Sequence, residues 1–195
     1  MGSLLDLQMR VFAGCPVPGQ VATELAAWAS ERFSHPHLRF VSPENMHVTL
    51  FFFGSIDEPA VDQLTELTER VEWRPIAVTS RDIALFRQGA LVLRLSTPDE
   101  VLHWLTYEKN NAETALGSMD RFCAELEKAR GRGQSTRQLQ LHVTFGRLKG
   151  RHRLRVPEQA PSLSFELSEL VLYESTLTAR GSVYRAITSS GAMKS

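Results

Sequence analysis

The chain has 195 residues, 43% of them hydrophobic and 23% charged, with 22 basic and 22 acidic side chains. That balance describes one globular unit long enough to bury a core without staples, and it excludes a disordered or strongly polyelectrolyte chain. Cys15 and Cys123 form neither a CxxC pair nor a disulfide framework, and no apolar run reaches the ~18 residues of a membrane helix, so a reduced, cytoplasmic, non-membrane protein is expected.

In chain order, Leu7 to Ala13 reads as a strand, broken by Pro16, Pro18 and Gly19. Val21, Leu25, Trp28 and Ala29 recur at helical spacing and predict a helix from Val21 to Phe33. A loop at His35-Pro36-His37 precedes a short strand, Leu38 to Val41, and a turn at Ser42 to Asn45. Met46 to Phe53 reads as a strand ending at Gly54, and Glu58 to Val71 as an amphipathic helix. Two strands follow, Ile76 to Phe86 and Ala90 to Leu95, turning around Arg87-Gln88-Gly89. Pro98 opens a helical region that reaches Ala129, with Asn110-Asn111 or Gly117 as its interruption. Gly131 to Thr136 is a polar loop, Leu139 to Leu148 a strand, and Arg151 to Arg155 an exposed strand or arm. Leu163 to Tyr173 and Val183 to Ile187 close the chain as strands. Without a strict βαβ rhythm, this order favours antiparallel α+β sheets over a doubly wound parallel sheet.

The neutral total hides an asymmetry. Lys128 to Arg155 holds nine Lys or Arg and no Asp or Glu, which points to an anionic ligand at one place.

One pattern occurs twice. Met46-His47-Val48-Thr49-Leu50 and Leu141-His142-Val143-Thr144-Phe145 each place a His-x-Thr inside an apolar strand. Side chains at i and i+2 of a strand share a face. His47 therefore sits beside Thr49, and His142 beside Thr144, with the hydrophobic residues turned away. Such a polar pair is costly in a dry core and useful in a wet cleft. Two pairs facing each other suit the opening of a cyclic phosphodiester. One imidazole activates water, the other protonates the leaving ribose oxygen, and the hydroxyls donate to the non-bridging oxygens. Arg147, five residues after His142, supplies a forked cation for the phosphate. His35 and His37, flanking a proline, do not make a convincing metal set with His47, and no metal or cofactor is expected.

At these residues the chain resembles the two-histidine (2H) phosphoesterases, and within them the RNA 2′,3′-cyclic phosphodiesterases, also called 2′-5′ RNA ligases. The likeness is carried by Arg10 to Ala13, by Leu38 to Gly54 with its His47-Val48-Thr49 core, by His142 to Arg147, and by Leu170 to Ser175 with Tyr184. Phe40 departs from the tryptophan common in the family, and Leu141 from its proline. The resemblance implies one bilobal, pseudo-symmetric α+β domain over residues 1–195. In it two antiparallel sheets form a V-shaped groove and the helices lie outside. It also implies metal-independent hydrolysis of an RNA 2′,3′-cyclic phosphate to a 2′-phosphate by a monomer. In that reading His47 is the acid on O3′, His142 the base on water, and Thr49, Thr144 and Arg147 hold the phosphate, while Phe51 or Phe12 stacks on a base. Related substrates are 2′-5′ oligoadenylate and other cyclic nucleotides. A non-catalytic RNA-end binder is the alternative from another class.

Overall fold

The computed structural model describes residues 8–131, 140–150, 152–178 and 181–190. Nine strands and four helices follow in the order β1 (Met9–Pro16), α1 (Gly19–Arg32), β2 (Leu38–Phe40), β3 (His47–Ile56), α2 (Glu58–Glu69), β4 (Ile76–Leu85), β5 (Ala90–Ser96), α3 (Asp99–Asn110), α4 (Ala115–Ala129), β6 (His142–Leu148), β7 (Ser164–Leu167), β8 (Val171–Thr178) and β9 (Gly181–Ser189). A 3₁₀ turn, Pro43–Asn45, separates β2 from β3.

The strands form an open antiparallel sheet in the order β7-β4-β5-β6-β3-β1-β8-β9, with β2 also paired to β6. This is the expected α+β architecture with one refinement. The two halves are joined where β3 meets β6, and that seam is registered through a single pair, Val48 opposite Val143. On one side of the seam β1 and β8 flank β3; on the other β5 and β4 flank β6. The order is thus symmetric about Val48 and Val143.

One face of the sheet is covered. Val11, Ala13, Val48, Phe53, Leu91, Leu93, Val143 and Phe145 form the core with Ala22, Leu25 and Ala29 of α1, Val61 and Leu64 of α2, and Leu116 and Met119 of α4. Trp73 is buried there and its indole N–H donates to the Leu167 carbonyl at 2.9 Å, tying the end of α2 to β7. No helix among the described residues is long and apolar enough to cross a membrane.

Several boundaries differ from the sequence reading, each for a local reason. β1 runs on to Pro16 because Ala13 to Pro16 pair with Phe51, Thr49, Val48 and His47, and Pro16 ends the strand. Gly54 does not terminate β3. Its φ of +73° makes a local kink that the strand passes through to Ile56. The long helical region is two helices. Of the two expected interruptions, Asn110-Asn111 is the one found: α3 ends there, Thr114 caps α4 by accepting the Gly117 amide at 3.0 Å, and Gly117 lies inside α4. Gly117 is required there, since a Cβ would stand 1.8 Å from the Asn111 carbonyl oxygen. Leu163 to Tyr173 is not one strand but β7 and β8, and residues 152–156 have no regular structure. The expected polar loop falls almost entirely outside the described residues.

Gly14 lies on β1 opposite Thr49, and a Cβ there would stand 2.6 Å from the Val48 carbonyl oxygen. Gly14→Ala is expected to lower unfolding free energy by about 1–3 kcal/mol, because β3 must move to admit the methyl. Gly19→Ala, which meets nothing within 4 Å, is expected to change it by less than about 0.5 kcal/mol. Urea titration of both variants measures the difference. Equal effects would show that the seam strand tolerates displacement.

Candidate active site

The seam brings the two His-x-Thr motifs together. With Val48 opposite Val143, the antiparallel register sets His47 beside Thr144 and Thr49 beside His142. Val48 and Val143 are fully buried, so the four polar side chains emerge on the opposite, uncovered face. The two histidines are diagonal neighbours across this ladder, a step of about 7–8 Å between Cα atoms. Charge also reaches His47 from across the seam: His142 and Arg147 both act to lower its pKa.

Each imidazole is held by the same device. The Nδ1–H of His47 donates to the Asn45 carbonyl at 2.8 Å, and that of His142 to the Gln140 carbonyl at 2.8 Å. A carbonyl only accepts, so Nδ1 carries the hydrogen and the neutral ring leaves Nε2 free to take a proton. In both cases the carbonyl belongs to the residue two before the histidine. The chain thus builds one local geometry twice.

Arg147 reaches this face because of a β-bulge. Strict alternation from His142 would turn residue 147 to the core side. Across β5, however, Leu91 faces Gly146 while Val92 faces Thr144, so Phe145 is an extra residue in β6. Phe145 and Gly146 are therefore both buried, and Arg147 returns to the face of His142 and Thr144 as an exposed side chain. β3 has the counterpart. Ala13 faces Phe51 and Gly14 faces Thr49, which makes Leu50 the extra residue. Leu50 and Phe51 are both buried, and the next residue, Phe52, emerges on the histidine face 44% exposed. Phe52 and Arg147 each stand five residues after their histidine and occupy matching positions in the two halves.

The rings expected at the rim were Phe51 or Phe12, but both are buried and the exposed aromatic on this face is Phe52. Phe51 is buried in the core with the Lys109 ammonium 4.7 Å from its ring centre, so it has no face for a base. Phe12 is also buried. It stands on the histidine face, 4.6 Å from the His47 ring, stacked on Tyr173 at 5.0 Å and edge-on to Tyr184 at 5.0 Å. Phe12 backs the imidazole.

The two histidines are not equivalent. His47 has Phe12 at 4.6 Å and the Tyr184 ring at 4.9 Å. Burial is the main cause lowering its pKa below the ordinary histidine value, with Arg147 and His142 adding charge repulsion against the partial offset of the Asn45 carbonyl. His142 instead meets Phe86, edge-on at 5.2 Å. His35 and His37 are remote from this pair in their packing and group with His152 instead.

Residues 16–92 match the model of the LigT-like phosphoesterases, a span that includes His47 and Thr49. The chain is 25% identical over 187 residues to the RNA 2′,3′-cyclic phosphodiesterase of Methanocaldococcus jannaschii, covering 92% of this chain and 98% of that protein. It is 24% identical to the protein of the same name from Archaeoglobus fulgidus, covering 91% and 97%. Among solved structures, a protein of Thermus thermophilus superposes with a TM-score of 0.73 at 20% identity, covering 93% of this chain and 96% of that one. Escherichia coli LigT complexed with 3′-AMP superposes at 0.69 and 19% identity, covering 96% and 99%. The family match takes in the first motif, and the alignments to the long relatives run through both, so the chain is similar to RNA 2′,3′-cyclic phosphodiesterases over most of its length and shares the fold of LigT.

Proposed function

We propose that this protein hydrolyses the 2′,3′-cyclic phosphate at an RNA end to a 2′-phosphate, using His47 and His142 as a paired acid and base. The observation that carries the reading is the Val48–Val143 register, which sets two imidazoles, each with Nδ1 anchored, on one open face of the sheet. The names of the relatives, RNA 2′,3′-cyclic phosphodiesterases, agree with it.

In this reaction His142 Nε2 takes a proton from water as the oxygen attacks phosphorus. The P–O3′ bond breaks on the far side, and His47 Nε2–H gives its proton to the departing O3′. The 2′-phosphate remains on the ribose. Charge that grows on the non-bridging oxygens is met by Arg147 and by the hydroxyls of Thr49 and Thr144. Phe52, the exposed aromatic on this face, has the Arg10 guanidinium 5.0 Å from its ring centre and is the ring on which the terminal base stacks.

The test is to incubate an oligonucleotide ending in a 2′,3′-cyclic phosphate with the protein and EDTA, then identify the product end by mass and phosphatase sensitivity. A 2′-phosphomonoester is expected; an unopened ring under all conditions contradicts the reading. His47→Ala and His142→Ala are each expected to slow turnover by about 10²–10⁴-fold while thermal unfolding stays cooperative. Loss of folding in either would show that the histidines serve the core.

The pH profile carries a sign. His47 must enter the reaction protonated, yet in the free protein its pKa lies below the ordinary histidine value. The protonated form is lost as pH rises through that lowered value. A bound phosphodiester anion sets negative charge against Arg147 and raises the pKa of His47 again. The alkaline limb of kcat/KM is therefore expected at lower pH than the alkaline limb of kcat. The reverse order would assign the acid role to another group. Arg147→Ala is expected to cost about 10²–10³-fold in kcat/KM, without rescue by Arg147→Lys, because lysine lacks the planar fork.

A further inference from the structure

Beyond the reacting phosphate lies a second feature of β6. Its register with β2 pairs Arg147 with Arg39 and Leu148 with Leu38, and the Lys149 amide continues it by donating to the His37 carbonyl at 3.0 Å. Leu148 is buried on the core side, so Arg147 and Lys149, two residues apart, project on the histidine face and are exposed. Next along this edge the His37 and His152 rings stack at 4.2 Å with an 11° interplanar angle. His35 lies 5.7 Å from His37 and 5.4 Å from His152. The His35 Nδ1 accepts the His37 amide at 3.1 Å, which leaves the neutral ring's hydrogen on Nε2 as a donor. This edge contains part of the Lys128–Arg155 basic stretch that the chemistry at the histidine pair does not use.

Three imidazoles close together invite a metal reading, but no group of three His, Cys, Asp or Glu among the described residues is arranged to hold an ion. The acceptor role of His35 Nδ1 and the neighbouring Lys149, Arg39 and Arg147 favour an anion instead. Successive residues on one face of a strand are about 7 Å apart, so the row advances in steps a single-stranded phosphodiester backbone can follow. Imidazole also gives a flat surface for an unpaired base.

We propose that the β2–β6 edge, from Arg147 through Lys149 to the His35–His37–His152 cluster, is a binding track for the single-stranded RNA body attached to the cyclic end. This rests on the phosphodiesterase reading above and extends it. The protein would select oligonucleotides over cyclic mononucleotides by contacts beyond the reacting phosphate.

The test has two arms. In the first, kcat/KM is measured for a cyclic-phosphate-terminated decanucleotide and for a nucleoside 2′,3′-cyclic monophosphate. The double variant Lys149→Ala/His152→Ala is expected to lose at least tenfold on the decanucleotide, through KM, with the mononucleotide unchanged. Equal loss on both substrates, or loss on neither, overturns the track. In the second arm, anisotropy follows binding of a decanucleotide with a plain 3′-hydroxyl against salt concentration, which needs no catalysis. Lys149→Ala is expected to flatten the log–log salt slope by about 0.7, one phosphate contact on a single strand. An unchanged slope overturns the track. Failure of the wild type to open either cyclic substrate, with normal salt-sensitive binding, would instead sink the phosphodiesterase reading and leave the track standing.

Discussion

Val48 and Val143 face each other at the seam of the sheet, and everything catalytic in the account depends on that pair. Both are fully buried. Hydrophobic packing beneath the sheet fixes which way each valine points, and the pleat then fixes its neighbours the other way. A slip of one residue in either strand would turn its histidine into the core and a valine into water. The apolar residues of β3 and β6 therefore set the position of the polar ones.

Two further constraints refine what the seam provides. The carbonyls of Asn45 and Gln140 pin Nδ1 of each ring and thereby present Nε2 outward. The bulges at Leu50 and Phe145 reset the alternation, so that residues five beyond each histidine rejoin its face. The two halves share this plan but not its contents. One half places an aromatic ring at that position and the other a guanidinium. Likewise, His47 is walled by Phe12 and Tyr184 whereas His142 meets the edge of Phe86. Side chains make a pseudo-symmetric scaffold asymmetric, which suits a reaction that needs one acid and one base.

The two His-x-Thr strands were readable in the sequence because each sits in an alternating apolar run. The location of the second helix was readable from the spacing of Val61 and Leu64. The facing of Arg147 was not, because a bulge within Phe145-Gly146 looks the same in sequence as continued alternation with a glycine. Phe52 was hidden for the same reason: in Phe51-Phe52-Phe53 three identical side chains give no clue to which one is outside. The stop at Gly54 failed because a positive φ bends a strand without ending its ladder. The split of α3 from α4 was legible as a choice between Asn110-Asn111 and Gly117; the Thr114 hydroxyl, which accepts the Gly117 amide, decides for the former. The clustering of His35, His37 and His152 depends on β2 pairing with the end of β6, a contact between segments far apart in the chain.

The most direct measurement is a crystal structure with an oligonucleotide bearing a 2′-phosphate end. Nε2 of His47 is expected within hydrogen-bonding distance of O3′, and Nε2 of His142 at a phosphate oxygen on the opposite side of the phosphorus. A phosphate seated against one imidazole alone, with the other turned away or out of reach, would contradict the paired acid and base.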